Sequence, residues 1–448
     1  MIDIKNKKVT VIGAARSGVA VSKLLKSKGA DVFVSDSGSE EKLKNFLDEL
    51  SAEGIGYETG KHSDKVYDTD FLVISPGVPS NIPVIIKYLD SGKEVFSEIE
   101  VASWFNKAKI VAVTGSNGKT TTTTLIYEIF KGNNRKCFAA GNIGDPLSNF
   151  VANSTSETLG ALELSSFQLD HIKTFRPFIS IIMNITPDHL DRYGTFENYA
   201  NSKARIFMNQ TEEDYLIYNY DDPVVTKIVE KAGCKKLPIS LKEEVTEGAF
   251  VRNNEIVIKL DAEPKVLIDS RNIGIKGKHN LYNSLAASLA AYLCSLATEE
   301  ISKSLISFKG VEHRLEFVRE LEGVKFYNDS KATNVDSVWY ALESFKEPVI
   351  LIAGGKDKGN DYTSIIPLVK EKVKSAVLIG QGAQKLHDAL SPITKTVFAE
   401  TMDDAVRKSY ELARPGESVL LSPACASFDM FNNYEHRGQV FKNCVMSL

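Results

Sequence analysis

Short apolar runs rich in valine and isoleucine alternate along this chain with longer stretches in which apolar residues recur every three or four positions. The runs at 8–12, 71–75, 110–113, 159–169, 179–185 and 215–219 read as buried strands, and residues 207–208 as a further piece of sheet. A second series at 325–328, 349–353, 376–379, 397–399 and 418–421 reads the same way. Helical periodicity begins at the threonines 120–124 and fills 195–208, 284–296, 332–345 and 402–413. Strands that alternate with helices of this length predict parallel, doubly wound sheets, because a parallel connection needs a crossover helix. Residues 240–275 break the rule. Their short alternating strands predict a small antiparallel side sheet.

At 448 residues the chain is longer than one core fills, so several domains are expected. The pattern places boundaries near 97 and 310, giving 1–97, 98–309 and 310–448. The fold class is α/β: a Rossmann-like first domain, a central domain like a P-loop ATPase with a mostly parallel sheet, and a doubly wound Rossmann-like third domain. The boundaries near 98 and 310 are the expected hinges. Net charge of −4 gives no footprint for nucleic acid or an anionic membrane. Five cysteines without paired spacing predict a reducing compartment and no disulfide framework. The chain enters a strand within a few residues, and no apolar run reaches the ~20 residues that span a bilayer. A cytoplasmic protein, acting as a monomer, is expected.

The densest chemistry is VAVTGSNGKTTTTT at 111–124. An apolar strand enters Gly115-Ser116-Asn117-Gly118-Lys119-Thr120-Thr121, and a helix starts at the threonines. Glycines let backbone amides wrap phosphate oxygens, the helix opening points N–H groups at the anion, Lys119 adds a cation and Thr120 offers a hydroxyl to Mg²⁺. The glycine that usually lies five residues before Gly118 is Val113 here, so the loop is a compressed G-x-x-G-K-T form. Nucleoside triphosphate binding is the expectation. Residues 8–36 form a βαβ outline ending in Asp36, but Ala15 occupies the middle glycine position of a dinucleotide fingerprint. A sugar nucleotide suits this face at least as well as NAD, and a merely structural turn also fits. Ser75-Pro76-Gly77 closes another strand on the same edge.

Glu163 falls inside the apolar run 159–169, either as a buried carboxylate with Mg²⁺ for partner or as an edge residue facing water. Polar residues 184–191 close the next strand, with His189 open to a metal, phosphate or structural role. Lys203, on a helix capped by Thr195, reads from residue chemistry alone as a solvated surface lysine. Asn283 is expected in the first turn of helix 284–296. Three loaded loops, at 328–334, 354–359 and 421–429, form a binding rim on the last sheet.

Taken together, T-G-S-N-G-K-T-T, E-L-S-S-F-Q-L, N-I-T-P-D-H-L-D-R-Y, G-x-H-N-x-x-N, H-R-L-E, N-D-S-K-A-T-N and L-S-P-A-C-A-S-F-D resemble the Mur ligase family, from near residue 8 to the C-terminus. The S-P-A-C-A-S-F-D stretch and the short first domain are similar to its D-glutamate-adding branch. The D-N-P-R segment of the diaminopimelate- or lysine-adding branch does not occur. The resemblance implies an ATP-dependent amide-bond ligase of peptidoglycan precursor synthesis, in which the carboxylate of UDP-N-acetylmuramoyl-L-alanine is phosphorylated and then attacked by the amine of D-glutamate. It implies that Thr120 and Glu163 hold one Mg²⁺, and that His189 and Lys203 hold a second, with Lys203 carbamylated by CO₂. That overrides the surface reading of Lys203.

By the same resemblance Asn283, Arg314 and Asp329 surround ATP with the phosphate loop. Lys331, Thr333, Lys358, Ser427, Phe428 and Tyr434 face D-glutamate. Arg16, Ser17, Asp36, Ser37, Ser75, Pro76, Gly77 and Asn142 meet the UDP-sugar. Gly13-Ala14-Ala15 departs from a glycine-richer family turn, and Tyr434 stands where the family commonly has phenylalanine. Three other readings stay open: a sister ligase, a folylpolyglutamate synthetase-like enzyme, and a non-catalytic sensor of UDP-sugar and ATP. A dehydrogenase is disfavoured by Ala15 and the lack of a second dinucleotide motif.

Overall fold

Residues 3–357 and 359–448 are described by a computed structural model of the chain. The apolar runs become strands in three sheets. The first has five parallel strands, ordered Gly56–Glu58, Asp31–Ser35, Lys8–Ile12, Phe71–Ile74 and Val95–Ser97. The last has six, and its run from Val324–Asn328 through Ser418–Leu421, Val349–Gly354 and Val373–Ile379 to Lys395–Ala399 is parallel as expected. The H-R-L-E segment runs into an edge strand absent from the sequence reading: Glu316–Leu321 pairs antiparallel with Val324–Asn328. Two compact units result. One runs up to Ile273 and takes in Leu281–Phe308; the other is Gly274–Asn280 with Lys309–Leu448.

The central, nine-stranded sheet sets the chemistry. Lys109–Thr114 lies between Leu159–Glu163 and Ile179–Ile182, and Cys137–Gly141 flanks Leu159–Glu163. Because all are parallel, their carboxyl ends share one edge. Register puts Val113 beside Glu163, Glu163 beside Gly141, and Thr114 beside Ile182. Val111, Ala112 and Val113 are fully buried, which fixes that register from within.

Three expectations need correction here. The run 159–169 is not one strand: it stops at Glu163, because Ser165 and Gln168 form a capping box that starts the helical turn Ser166–Leu169. Residues 240–275 do not make a separate sheet. Their strands Gly248–Arg252, Glu255–Lys259 and Lys265–Asp269 extend the central one, joined through Lys235–Ser240, and only the outer two pairings are antiparallel. Residues 205–207 form a helical turn rather than sheet, continuing the helix Phe196–Ala204.

The expected hinge near residue 98 is a short helix, Glu98–Ser103, capped by Ser97. Glu100 on it receives five hydrogen bonds, from the amides of Lys173, Thr174 and Phe175, the Thr174 hydroxyl and the Trp104 indole. Burial alone would raise its carboxyl, but these donors outweigh burial and hold it below the usual range. Glu98 takes the opposite course. Its Oε1 accepts from the Ser148 amide and hydroxyl at 2.7 and 2.6 Å, and its Oε2 meets no hydrogen-bond partner among the described residues. Burial pushes Glu98 up to about 7. Between the ordinary carboxylate range and neutrality, the folded chain therefore holds a proton that the unfolded chain has lost. That stabilisation is complete at low pH and declines as pH rises through about 7. Glu98→Gln is expected to abolish the decline, on the order of 3 kcal/mol across that window. Denaturant unfolding followed against pH checks it, and an unchanged slope would rule Glu98 out.

Candidate functional site

The strand Lys109–Thr114 delivers the loop, and the helix Lys119–Gly132 opens from it with Gly118 as its N-cap. Gly118 has φ +83°, and a Cβ there would lie 2.6 Å from Asn283 Oδ1. Gly115, at φ +148°, packs against Met183 and the Asn184 backbone. Only glycine meets both demands. Asn184 braces the loop from the neighbouring strand end: its Oδ1 accepts from the Asn117 amide at 2.8 Å, and its Nδ2 donates to the Asn117 carbonyl at 3.1 Å. Its own carbonyl accepts from the Ser116 amide. The Ser116 hydroxyl donates to the Thr186 carbonyl and lies 3.2 Å from the Tyr199 hydroxyl.

Lys119 Nζ donates to the carbonyls of Gly115 and Ser116, both at 2.8 Å. Lys203 Nζ donates to the same Gly115 carbonyl at 2.8 Å and lies 4.6 Å from the Tyr199 ring centroid. Lys203 is 2% exposed. The surface reading of this residue is overturned: the helix Phe196–Ala204 turns it inward against the loop. Burial pushes its ammonium well below the usual lysine range, and the Lys119 cation pushes the same way. The Asp188, Glu163 and Asp170 carboxylates oppose both.

Glu163 is 1% exposed at its strand's end, and its Oε1 accepts from Asn142 Nδ2 at 2.7 Å. The solvent-facing reading is thereby excluded. Thr120, 3% exposed, and Thr121 open the loop helix. His189 sits at φ +53°, caps the helix Leu190–Tyr193 and packs edge-on against Phe167, with ring centroids 4.8 Å apart. Its Nε2 is 3.7 Å from Asp188 Oδ2. The buried Glu163 carboxylate and the buried Thr120 hydroxyl are oxygen donors of the kind that suits Mg²⁺, while the His189 imidazole is a softer donor. Asn283 is not in a first turn. Its helix, Lys278–Leu293, starts earlier, and Thr122 Oγ1 donates to Asn283 Oδ1 at 3.1 Å.

On the first sheet, Arg16 and Ser17 open the helix Arg16–Ser27 beside the turn 13–15. Asp36 accepts from the amides of Ala14 and Gly38, both at 2.6 Å, with Ser37 exposed next to it. Ser75 donates to the Gly13 carbonyl at 3.1 Å, so Ser75-Pro76-Gly77 and the first turn lie together.

In the other unit, Asp329 is 6% exposed and accepts from the Ser422 hydroxyl at 2.9 Å and the Leu315 amide at 3.3 Å. Burial raises it to about 7 against the pull of the Ser422 bond and the Arg314 cation. Lys331 Nζ lies 5.1 Å from the Tyr434 ring centroid, and the Thr333 amide donates to the Lys331 carbonyl. Ser427 is buried, Phe428 is exposed, and Lys358 lies outside the described residues. Glu312, His313 and Glu316 cluster at metal-ligating spacing, but the Lys442 ammonium already bonds both carboxylates.

Three working residues were missed in the sequence. Asp188 and Asn184 lie inside the quoted 184–191 cluster, which was the available signal. Arg437 gave none, since an arginine on the last helix reads as exposed. It is 1% exposed, and its guanidinium bonds the Ser330 hydroxyl, the Ser330 carbonyl and the Cys425 carbonyl, tying loop 328–334 to loop 421–429.

Family profiles match in chain order: MurD N-terminal domain at 8–83, Mur ligase middle domain at 113–291, and the Mur ligase glutamate ligase domain at 313–425. A protein of Chloroherpeton thalassium named UDP-N-acetylmuramoylalanine–D-glutamate ligase is 46% identical, over all of this chain and 99% of its own. Among solved structures, MurF of Acinetobacter baumannii superposes with a TM-score of 0.65 at 18% identity, over 98% of this chain and 93% of that one. MurF of Thermotoga maritima, solved in complex with ADP, gives 0.60 at 17% identity, over 93% and 95%. These likenesses establish the three-domain α/β fold. For the loop, Gly118→Ala is expected to weaken ATP binding at least ~10-fold, since the strained φ and the Asn283 contact both displace the amides. Titration calorimetry measures this, and unchanged affinity would remove the loop from the phosphate site.

Proposed function

The chain belongs to the Mur ligase family, and we propose that it is the member that uses ATP to join D-glutamate to UDP-N-acetylmuramoyl-L-alanine. The observation that carries this reading is Lys203, buried against the phosphate loop with its Nζ on the Gly115 carbonyl. A protein that only sensed nucleotide would gain nothing from burying a second lysine there, which costs desolvation. The choice of amino acid and sugar nucleotide is supported by the full-length similarity to relatives that carry the D-glutamate ligase name.

The substrate carboxylate attacks the γ-phosphorus of ATP, the bond to the β-bridging oxygen breaks, and ADP leaves an acyl phosphate. The D-glutamate amine then adds to the acyl carbon, loses a proton, and expels phosphate. Lys119 supplies positive charge where the transferring phosphoryl group develops negative charge. Gly115, Ser116, Asn117, Gly118, Thr120 and Thr121 line the phosphates; Asn283, Arg314 and Asp329 meet the rest of ATP. Lys331, Lys358, Thr333, Ser427, Phe428 and Tyr434 receive D-glutamate, where two lysines answer its two carboxylates. Arg16, Ser17, Asp36, Ser37, Ser75, Pro76, Gly77 and Asn142 hold the UDP-sugar. Thr120 and Glu163 would hold one Mg²⁺, and His189 with Lys203 a second, to neutralise phosphate charge.

Lys203 serves in that set as a carbamate. Its depressed affinity for protons leaves a free amine, the amine adds to CO₂ with loss of a proton, and a cation repelled by Lys119 becomes an anion attracted to it. The expected setting is the cytoplasm, where the precursor is made.

Phosphate release from ATP and UDP-N-acetylmuramoyl-L-alanine is expected with D-glutamate but not with L-glutamate or meso-diaminopimelate. Release with another amino acid would move the chain to a sister ligase, and no release at all would favour the sensor. Lys203→Ala is expected to lose at least ~100-fold in kcat and to regain part of it with added short carboxylic acids, a loss typical of misplaced transition-state charge. Wild-type rates in the unsupplemented variant would exclude the carbamate.

A further inference from the structure

Arg192 belongs to the N-I-T-P-D-H-L-D-R-Y motif, yet the chemistry above gives it no task. It lies on the short helix that His189 caps. Its guanidinium carbon is 3.7 Å from the centroid of the Phe167 ring. That ring meets His189 edge-on and stacks on Tyr193, with centroids 5.9 Å apart and planes within 8°. Phe167 sits on the helical turn that Ser165 caps, directly after Glu163. In the other direction, Arg192 Nη2 donates to the Val78 carbonyl at 3.4 Å. Val78 in turn closes a turn on the Ser75 carbonyl through its own amide. One guanidinium thus joins the aromatic cluster around His189 to the turn Ser75-Pro76-Gly77. A second tie runs alongside, from the Ser80 hydroxyl to His171 Nε2 at 2.8 Å.

A planar guanidinium lies over a ring and still donates in its own plane, which an ammonium does not do. The substrate is long: its nucleotide end belongs to the first sheet and its reacting carboxylate to the edge of the central one. With the nucleotide seated, the reach of the carboxylate depends on how the 75–78 turn is held against the His189 segment. We propose that Arg192 is a positioning residue that sets this spacing for the UDP-sugar. The proposal rests on reading Ser75-Pro76-Gly77 as part of the UDP-sugar site. Misplacement by about 1 Å is enough to cost ~100-fold in rate, so a bond of this kind matters even without touching the substrate.

The test uses the full-length protein and steady-state phosphate release, with UDP-N-acetylmuramoyl-L-alanine and ATP varied separately. Arg192→Ala is expected to raise KM for the UDP-sugar and to lower kcat, each ~10-fold or more, with KM for ATP and the melting temperature unchanged. Arg192→Lys, which keeps the charge and loses the stacked plane, is expected to resemble it. Phe167→Leu should give the same split, and the double variant Arg192→Ala with Phe167→Leu should be no worse than the poorer single one, because both break one bridge. Unchanged UDP-sugar kinetics in both Arg192 variants would overturn the proposal. So would an equal rise in both KM values, or additive effects of Arg192 and Phe167. A wild-type enzyme that neither binds nor turns over this UDP-sugar would instead overturn the substrate reading on which the proposal rests.

Discussion

Two lysine nitrogens converge on one carbonyl oxygen, that of Gly115, and most of the central site follows from this. A carbonyl accepts two donors readily, but two like charges a few ångströms apart in a dry place do not coexist cheaply. Lys119 is the less buried of the pair, and Lys203 is sealed behind Tyr199 and the loop. The asymmetry is why burial pushes the Lys203 ammonium down. It also depends on backbone shape, since the carbonyl points toward both lysines only while Gly115 stays pressed against Met183 and Asn184. Sheet register holds Asn184, Asn184 holds the loop, and the loop holds both lysines.

The second unit uses the same economy with different parts. Arg437 spends its donors on two backbone carbonyls and a hydroxyl, so its charge works as a staple rather than as bait for an anion. Burial pushes it down to about 10, which still leaves it charged at neutral pH. Lys331 is placed over the Tyr434 ring, with its nitrogen 5.1 Å from the centroid.

Strand-and-helix alternation was readable in the residues because it is local: runs of valine and isoleucine ending in glycine or asparagine declare themselves. The phosphate loop was readable for the same reason. What escaped was set by distant partners. The partner that buries Lys203 lies 88 residues away, and nothing in its own helix distinguishes it from a solvated lysine; only the family resemblance marked it. Arg437 meets Ser330 across 107 residues and left no trace in the pattern. The break after Glu163 was missed although it was local, because S-S-F-Q reads as apolar continuation unless Ser165 and Gln168 are seen as a capping pair. The strands at 248–269 were recognised, but their attachment to the main sheet depends on a two-residue parallel pairing at Ile239 and Ser240.

The Asp36 carboxylate, bonded to the amides of Ala14 and Gly38, bears on what the first sheet can hold. In dinucleotide-binding folds the amides of that turn greet a pyrophosphate. Here the chain's own carboxylate already takes the Ala14 amide, so one amide of that turn is committed to a side chain. A nicotinamide cofactor would want a carboxylate at this strand end for its ribose, so Asp36 does not exclude one, and the alanine at 15 weighs more against it. The carboxylate that ties this turn together thus stands where such folds meet a ribose, and the two tasks compete for its oxygens.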